Sequence, residues 1–282
     1  MFSNNLIRSL CKSSDEMRLN LSPIDWEIVL NANKFFSESE GELRGNKLWG
    51  KYLLSKVQQV ANVDFSSSLE LCCGSGFLFF SFVDQFNLEG ESYFMDLSFN
   101  QCTTFNRRCD DSQVKRPNVL CGDIGTLPFR NSSFKLVYGN SFLHHLPDVL
   151  AYLREIHRVL VDGGKFIVFH EPSLTATFWE SFPISLYKDT STASLTDIWN
   201  ISPSVITQLL SESGFSRIEI SPSNLISSIL ITPLQIILSK LSLSSNATAI
   251  VRMKIFCDRI ERFLPKRMRY KYAPSVSIYA EK

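Results

Sequence analysis

The chain has 282 residues, 44% of them hydrophobic, enough to bury one full core with insertions or one core plus a small cap. Lys and Arg number 29 against 28 Asp and Glu, and a net charge of +1 creates no whole-molecule field that would draw nucleic acid. Seven cysteines, an odd count with Cys72 and Cys73 adjacent and no zinc-type spacing, exclude a disulfide framework or metal site and read as reduced thiols of a cytoplasmic protein.

In chain order, residues 1–60 read as a mixed helical segment contributing to a cap, with an acidic patch at Ser37–Glu42 and an apolar stripe at Leu48, Tyr52, Leu53, Val57 and Val60. Arg8 and Lys12 interrupt the opening residues and no apolar run follows, so no signal peptide is expected. Residues 61–172 then alternate short apolar runs with helical patterns. Leu69–Cys73 predicts a buried strand ending in Gly74-Ser75-Gly76, with an apolar helix from Phe77. Ser92–Met95 predicts a strand ending at Asp96, with a helix from near Ser98. Asn118–Cys121 leads to Gly122-Asp123, and Phe134–Tyr138 to Gly139-Asn140. Pro147–Leu160 predicts a helix, Asp162-Gly163-Gly164 a turn, and Lys165–His170 a strand. Such alternation predicts an α/β fold, a doubly wound and mainly parallel sheet with helices on both faces.

Beyond Pro172 the pattern changes. Residues 173–282 read as the rest of the sheet interrupted by cap insertions at 173–200 and 222–272. Ser202 followed by Pro203 predicts a capped helix to about Ser213, with strands at Ser216–Ile220 and Ser275–Ala280. The longest uncharged stretch, Ile220 to Ser239, is broken by Pro233, Gln235 and several serines, so it reads as amphipathic rather than spanning.

The chemistry concentrates at the predicted strand ends, where ligands of such sheets bind. Gly74 and Gly76 lack Cβ atoms, so the backbone there can turn sharply and press on a ligand, and the following helix points its amino end at the same place. Asp96, twenty residues after Gly76, is placed to accept from both hydroxyls of a ribose; capping of the next helix is its plainer reading. Asp123 can accept from an exocyclic adenine amine, or simply shape the turn Gly-Asp-Ile-Gly. His144 and His145 follow the fourth strand, where an imidazole could act as general base or else cap and pack. His170 and Glu171 end the fifth strand, facing substrate or closing a hydrogen-bonded strand terminus.

Residues 68–171 resemble the class I S-adenosylmethionine-dependent methyltransferases of the small-molecule type. The matching runs are LELCCGSG at 69–76, MD at 95–96, GDIGTLPF at 122–129, FKLVYGNSFLHHLPD at 134–148 and LREIHRVLVDGGKFIVFHEP at 153–172. The resemblance implies a Rossmann-like seven-stranded sheet and a methyl transfer from S-adenosyl-L-methionine to an O, N or C atom of a small-molecule or lipid-like acceptor. It implies that Glu70 lies near the methionyl amine and that Gly74 and Gly76, with Cys72 and Ser75 in the same loop, line the methionine and ribose. Asp96 would hold the ribose diol, Leu97 stack on adenine, and Asp123 and Ile124 frame the adenine. Asn140 and Ser141 would sit beside the sulfonium. Cys72 departs from the pattern, standing where the family usually has its first glycine. Transfer to an activated methyl needs alignment above all, and a base only where the nucleophile must lose a proton; His145, and next to it His144, are the candidates. No metal is implied.

Two readings stand beside this one. A non-catalytic member of the fold would bind cofactor or a partner in a regulatory role. A dehydrogenase of similar winding would want three closely spaced glycines, and Cys72 and GDIGTLPF count against it. The tail adds a last feature. Ile226, Leu230, Leu234 and Ile237 share one helical face, and Arg252–Lys271 carries eight Lys/Arg against Asp258 and Glu261. Such a pair can lie at an anionic membrane or admit a lipid-like substrate, giving a cytoplasmic protein peripheral to a membrane; an ordinary cap helix with a solvated basic face is the alternative.

Overall fold

The computed structural model describes residues 40–83, 91–146, 148–173, 202–240 and 247–282. The first 39 residues, Cys11 among them, and nearly all of the predicted cap segment 173–200 lie outside the described residues.

Helix α1 (Glu40–Gln58) comes first, then β1 (Ser67–Leu71), α2 (Phe77–Phe82), β2 (Glu91–Asp96), α3 (Phe99–Asp111), β3 (Asn118–Cys121) and β4 (Phe134–Gly139). A 3-10 turn (Leu143–His145) leads to α4 (Val149–Val159), β5 (Leu160–Pro172), α5 (Pro203–Glu212) and β6 (Ser216–Ser223). Three helices, α6 (Leu225–Lys240), α7 (Ala247–Glu261) and α8 (Lys266–Tyr272), precede β7 (Ser275–Glu281). The strands form one seven-stranded sheet in the order β3-β2-β1-β4-β5-β7-β6, parallel except for β7, which runs antiparallel to both its neighbours. The doubly wound, mainly parallel α/β fold expected from the sequence is what forms.

Alternation along the strands sends side chains to two separate cores, so the central strands are apolar on both faces. Phe166 and Val168 of β5 face α4 and α5 and pack with Leu153, Ile156, Ile206 and Leu209. Ile167 and Phe169 face the other way, toward Leu53 and Val57 of α1 and Phe79 and Phe82 of α2. Edge-to-face contacts tie this second core together: Phe94 meets Phe79 at 5.3 Å and Phe105 at 5.4 Å between ring centroids, each such pair contributing about 1 kcal/mol. Helix α1, read from sequence as contributing to a cap, packs on α7 of the inserted segment and also on α2 and β5.

Helix ends fall where the sequence supplies caps. Ser98 accepts from Gln101 N at the start of α3, Asp148 from Ala151 N at α4, and Ser202 from Val205 N at α5. One element differs from expectation. Asp162-Gly163-Gly164 is not a turn before β5 but a bulge inside it, where residues 161–164 stand opposite Lys135 alone. The last residue holds it there: Gly163 N donates to Lys282 O at 3.1 Å and Lys282 N to Gly164 O at 3.0 Å. Left-handed Gly163 (φ 72°) lets the strand continue through the bulge instead of ending.

Candidate active site

Chain order along the sheet reverses between β1 and β4, and a crevice opens outside the carboxyl ends of strands at such a switch point. Glu70 pairs in register with Tyr138, and Leu71 with Gly139, so Cys72–Gly76 and Asn140–Ser141 leave the sheet side by side. Leu71 also pairs with Met95, which brings Asp96 and Leu97 to the same rim.

The loop after β1 is built from left-handed backbone. Cys72 (φ 51°), Gly74 (φ 53°) and Gly76 (φ 88°) alternate with ordinary residues. Cys72 therefore keeps the conformation of the glycine it replaces, at a steric cost of about 1 kcal/mol. The two glycines are needed for different reasons. A Cβ on Gly76 would sit 2.8 Å from the Phe105 ring, so this glycine serves helix packing. A Cβ on Gly74 would meet nothing nearer than Gln101 Oε1 at 3.9 Å; the space beside this backbone is open. Arg108 secures the loop from α3, donating to Ser75 O at 2.8 Å and Ser75 Oγ at 3.2 Å while its guanidinium lies 4.4 Å from the centre of the Phe80 ring.

Asp96 ties the loop to the second strand. Its Oδ2 accepts from Gly74 N at 2.8 Å and its Oδ1 from Ser98 N at 2.9 Å, while Ser98, not Asp96, caps α3. A carboxylate offers about four lone-pair sites, so one aspartate can serve the loop, the helix start and a further donor at the rim. Asp123, exposed just past β3, accepts from Gly125 N at 2.8 Å and from the Tyr152 hydroxyl at 3.3 Å; its turn-forming role is realised. Ile124 beside it is buried with Leu127 and Met95, and Leu97 remains partly accessible.

Polar atoms at the crevice are left wanting. Glu70 Oε2 and Asn140 Oδ1 are buried without a close hydrogen-bond partner, and the buried Tyr138 hydroxyl turns to Glu70. Burial, reinforced by the charge on Asp96, pushes the Glu70 carboxyl well above the usual carboxylate range, against the opposing influence of Tyr138. Burial first and Asp96 second push the Cys72 and Cys73 thiols up as well, so neither is poised as a thiolate nucleophile. Among the described residues no group of three or more His, Cys, Asp or Glu could hold a metal ion.

On the far side of β4, Ser141 (φ 56°) donates its amide to His170 O, and Glu171 organises everything that follows. Glu171 is fully buried. Its Oε2 accepts from Phe142 N at 3.0 Å and Leu143 N at 3.2 Å; its Oε1 accepts from His144 N at 2.9 Å and His144 Nδ1 at 2.7 Å. A carboxylate only accepts, so Nδ1 carries the proton and Nε2 is the basic nitrogen. The His145 ring lies 3.8 Å from the His144 ring, centre to centre. Of the two histidines, the one favoured less by sequence is the one with a carboxylate behind it. Glu171 takes the hydrogen-bonded strand terminus rather than a substrate-facing position.

Known proteins give this arrangement a context. A family model described as a methyltransferase domain matches residues 69–168, which contain the loop, both rim aspartates and the histidine pair. Over that stretch the chain is similar to methyltransferase domains. It is 33% identical over 120 residues to a demethylmenaquinone methyltransferase of Lactococcus lactis, covering 43% of this chain and 46% of that protein. It is 32% identical over 112 residues to a 2-phytyl-1,4-naphtoquinone methyltransferase of Nostoc punctiforme, covering 38% and 48%. The chain thus spans about half the length of the curated relatives it matches. Among solved structures, the methyltransferase fold recurs in phosphoethanolamine N-methyltransferase 2 of Haemonchus contortus bound to S-adenosyl-L-methionine. There the TM-score is 0.57 at 15% identity, over 82% of this chain and 52% of that one. Geranyl diphosphate C-methyltransferase of Streptomyces coelicolor aligns with a TM-score of 0.55 at 13% identity, over 83% and 78%. At these identities the structures speak for the fold alone.

The part three residues play in holding this site together escaped sequence reading. Tyr138 is a hydroxyl inside an otherwise apolar strand, which was a usable signal. Arg108 and the anchoring role of Glu171 had none, since their partners are 33 and 27 to 29 residues away.

Proposed function

We propose that this chain is a methyltransferase that takes its methyl group from S-adenosyl-L-methionine and delivers it to an O, N or C atom of a small, lipid-like acceptor. One observation carries the reading: Glu70 Oε2 on β1 and Asn140 Oδ1 just past β4, the two strands paired at the switch point, are buried without a close hydrogen-bond partner. Unsatisfied buried polar atoms are rare and need an explanation, and a cationic, hydrogen-bonding ligand supplies one. A cation beside Glu70 would favour its charged form against the burial that pushes the carboxyl up.

The residues fit that cofactor. Glu70, Asn140 and Ser141 would hold its amino-acid end, and the backbone of Cys72, Gly74, Ser75 and Gly76 would border the methionine and ribose. Asp96 would take the ribose hydroxyls with its remaining lone pairs; Leu97, Asp123 and Ile124 would enclose the adenine. When bound, the cofactor supplies a methyl on sulfonium sulfur, already activated for in-line displacement. The chain's own part is alignment and exclusion of water. His144 Nε2, oriented by Glu171, accepts the acceptor's proton where the nucleophile must lose one. The names of the Lactococcus and Nostoc relatives suggest an isoprenoid-quinone type of acceptor, and the segment 222–272 would meet the bilayer in which such a molecule dissolves.

Isothermal titration calorimetry with S-adenosyl-L-methionine tests the reading. Wild-type protein should bind, Asp96→Ala should lose at least tenfold in affinity, and His144→Asn should keep affinity while turnover on a prenylated naphthoquinol drops by about 10²-fold. Absence of binding by the wild-type chain, or unchanged binding by Asp96→Ala, would sink it.

A further inference from the structure

Between β6 and β7 the chain inserts α6, α7 and α8, where a hairpin would suffice. Helix α7 packs on α1 and α6 on α7, with Ile231, Ile250 and Cys257 forming a small core of their own. The opposite faces of both helices are apolar too. Of the ten large apolar side chains exposed among the described residues, nine lie between Ile229 and Met268. On α6 they include Leu230, Leu234 and Ile237, and no residue from Leu225 to Ser239 is charged. On α7 and just past it they include Phe256, Ile260 and Phe263, with Phe256 64% and Phe263 86% exposed.

The charges of this insertion are sorted by side. Its two acids point inward. Asp258 accepts from the Tyr52 hydroxyl and pairs with Lys56 at 3.0 Å, and Glu261 Oε2 accepts from Ile226 N at 3.1 Å. Both are buried. Arg252, Lys266 and Arg267 are exposed; Arg259 and Arg262, exposed too, reach back to Tyr52 of α1, and Lys254 and Arg269 are half-buried. The outward face of residues 252–267 therefore carries large apolar side chains and positive charge with no acid among them. Ordinary solvated helices put polar groups outward and mix the signs.

We infer that the outward faces of α6 and α7 form a docking surface for an anionic lipid bilayer. Phe256, Ile260 and Phe263 enter the boundary between headgroups and acyl chains, about 5–10 Å deep, while the flanking arginines and lysines pair with lipid phosphates. No helix among the described residues is long and apolar enough to cross a membrane, so the contact lies in the plane of one leaflet. This surface deepens the lipid-like acceptor reading and rests on it only for its purpose, not for its chemistry: it sets the crevice at the interface where an acceptor partitions.

Vesicle flotation of the full chain tests it, with phosphatidylglycerol-containing and pure phosphatidylcholine vesicles. The wild type should float with anionic vesicles at low salt and be released at about 1 M salt, where the screening length falls to about 3 Å. Arg252→Glu with Arg267→Glu should weaken binding by about fivefold or more per charge lost. Phe256→Glu with Phe263→Glu should abolish flotation while leaving the thermal midpoint unchanged, both side chains being exposed. No flotation of the wild type, or flotation unaffected by the phenylalanine pair, overturns the proposal. So does a dimer in light scattering that the same pair dissolves, since the face would then serve a second copy. Calorimetry with S-adenosyl-L-methionine on the same samples separates the two readings. Flotation without cofactor binding leaves the docking surface standing and removes the methyl transfer; binding without flotation does the reverse.

Discussion

Two glycines two positions apart in the β1 loop answer to different constraints, and that difference is measurable. Gly74 (φ 53°) borders open space, whereas Gly76 (φ 88°) lies against the Phe105 ring. Gly74→Ala needs only the left-handed conformation that Cys72 already adopts, so the expected loss of stability is about 1 kcal/mol. Its methyl projects into the proposed cofactor space, and affinity for S-adenosyl-L-methionine should fall at least tenfold. Gly76→Ala adds a collision with an aromatic ring to the same backbone strain, for a loss of about 3 kcal/mol. Urea denaturation beside calorimetry reads both; equal losses of stability would mean that Phe105 yields easily and the packing argument is wrong.

Between elements, buried titratable groups set the pH response. Glu261 joins α7 to the start of α6, and burial first, then the charge of Asp258, push its carboxyl up to about 7. An acid raised in the folded state favours folding fully below its ordinary 4.5, and that contribution is lost as pH rises through about 7. His170, at the end of β5 beside Glu171 and His144, is shifted the other way. Burial lowers it to about 4, although part of its surface stays accessible. Its contribution is present above its ordinary 6.5 and lost as pH falls through about 4. Thermal midpoints measured against pH should therefore decline on both flanks. Glu261→Gln should flatten the alkaline flank and His170→Gln the acid one. An alkaline slope unchanged by Glu261→Gln would show that the carboxyl is not held neutral by its surroundings.

At the scale of the whole molecule, the last strand closes the architecture. Among the described residues β7 is the one partner of β6 and the outer partner of β5, and its apolar side chains enter both cores: Val276, Ile278 and Ala280 on one face, Tyr279 on the other. The backbone of Lys282 also pins the bulge at Gly163 and Gly164. Truncation after Pro274 should strip β6 and α6 to α8 of their attachment and abolish the cooperative thermal transition. Removal of Glu281 and Lys282 alone should leave a folded protein with a lower midpoint. A truncation at 274 that still melts cooperatively would mean that β1 to β5 and their helices fold without the closing strand.

What the amino-acid order settles by itself is local. Apolar runs of four to six residues bounded by Gly or Asp mark β1 to β4, Ser98 and Ser202 mark helix starts, and spacing puts Gly74, Asp96 and Asp123 at successive strand ends. These features depend on neighbours within a turn or a strand length, and the structure keeps them. What depends on distant partners was decided only by folding. Asp162-Gly163-Gly164 reads locally as a turn and becomes a bulge because Lys282, at the far end of the chain, arrives to pair with it. Helix α1 reads as contributing to a cap, and only folding gives it α2 and β5 to pack on as well. The pairing of His144 with Glu171 joins residues that no periodicity connects. The tail shows the division most clearly. Periodicity alone located the stripe Ile226, Leu230, Leu234 and Ile237 on α6, but only packing could lay Ile226 against the core of Ile231, Ile250 and Cys257, turn the other three outward and draw Asp258 and Glu261 in, since which side of an amphipathic helix is covered is fixed by what lies against it.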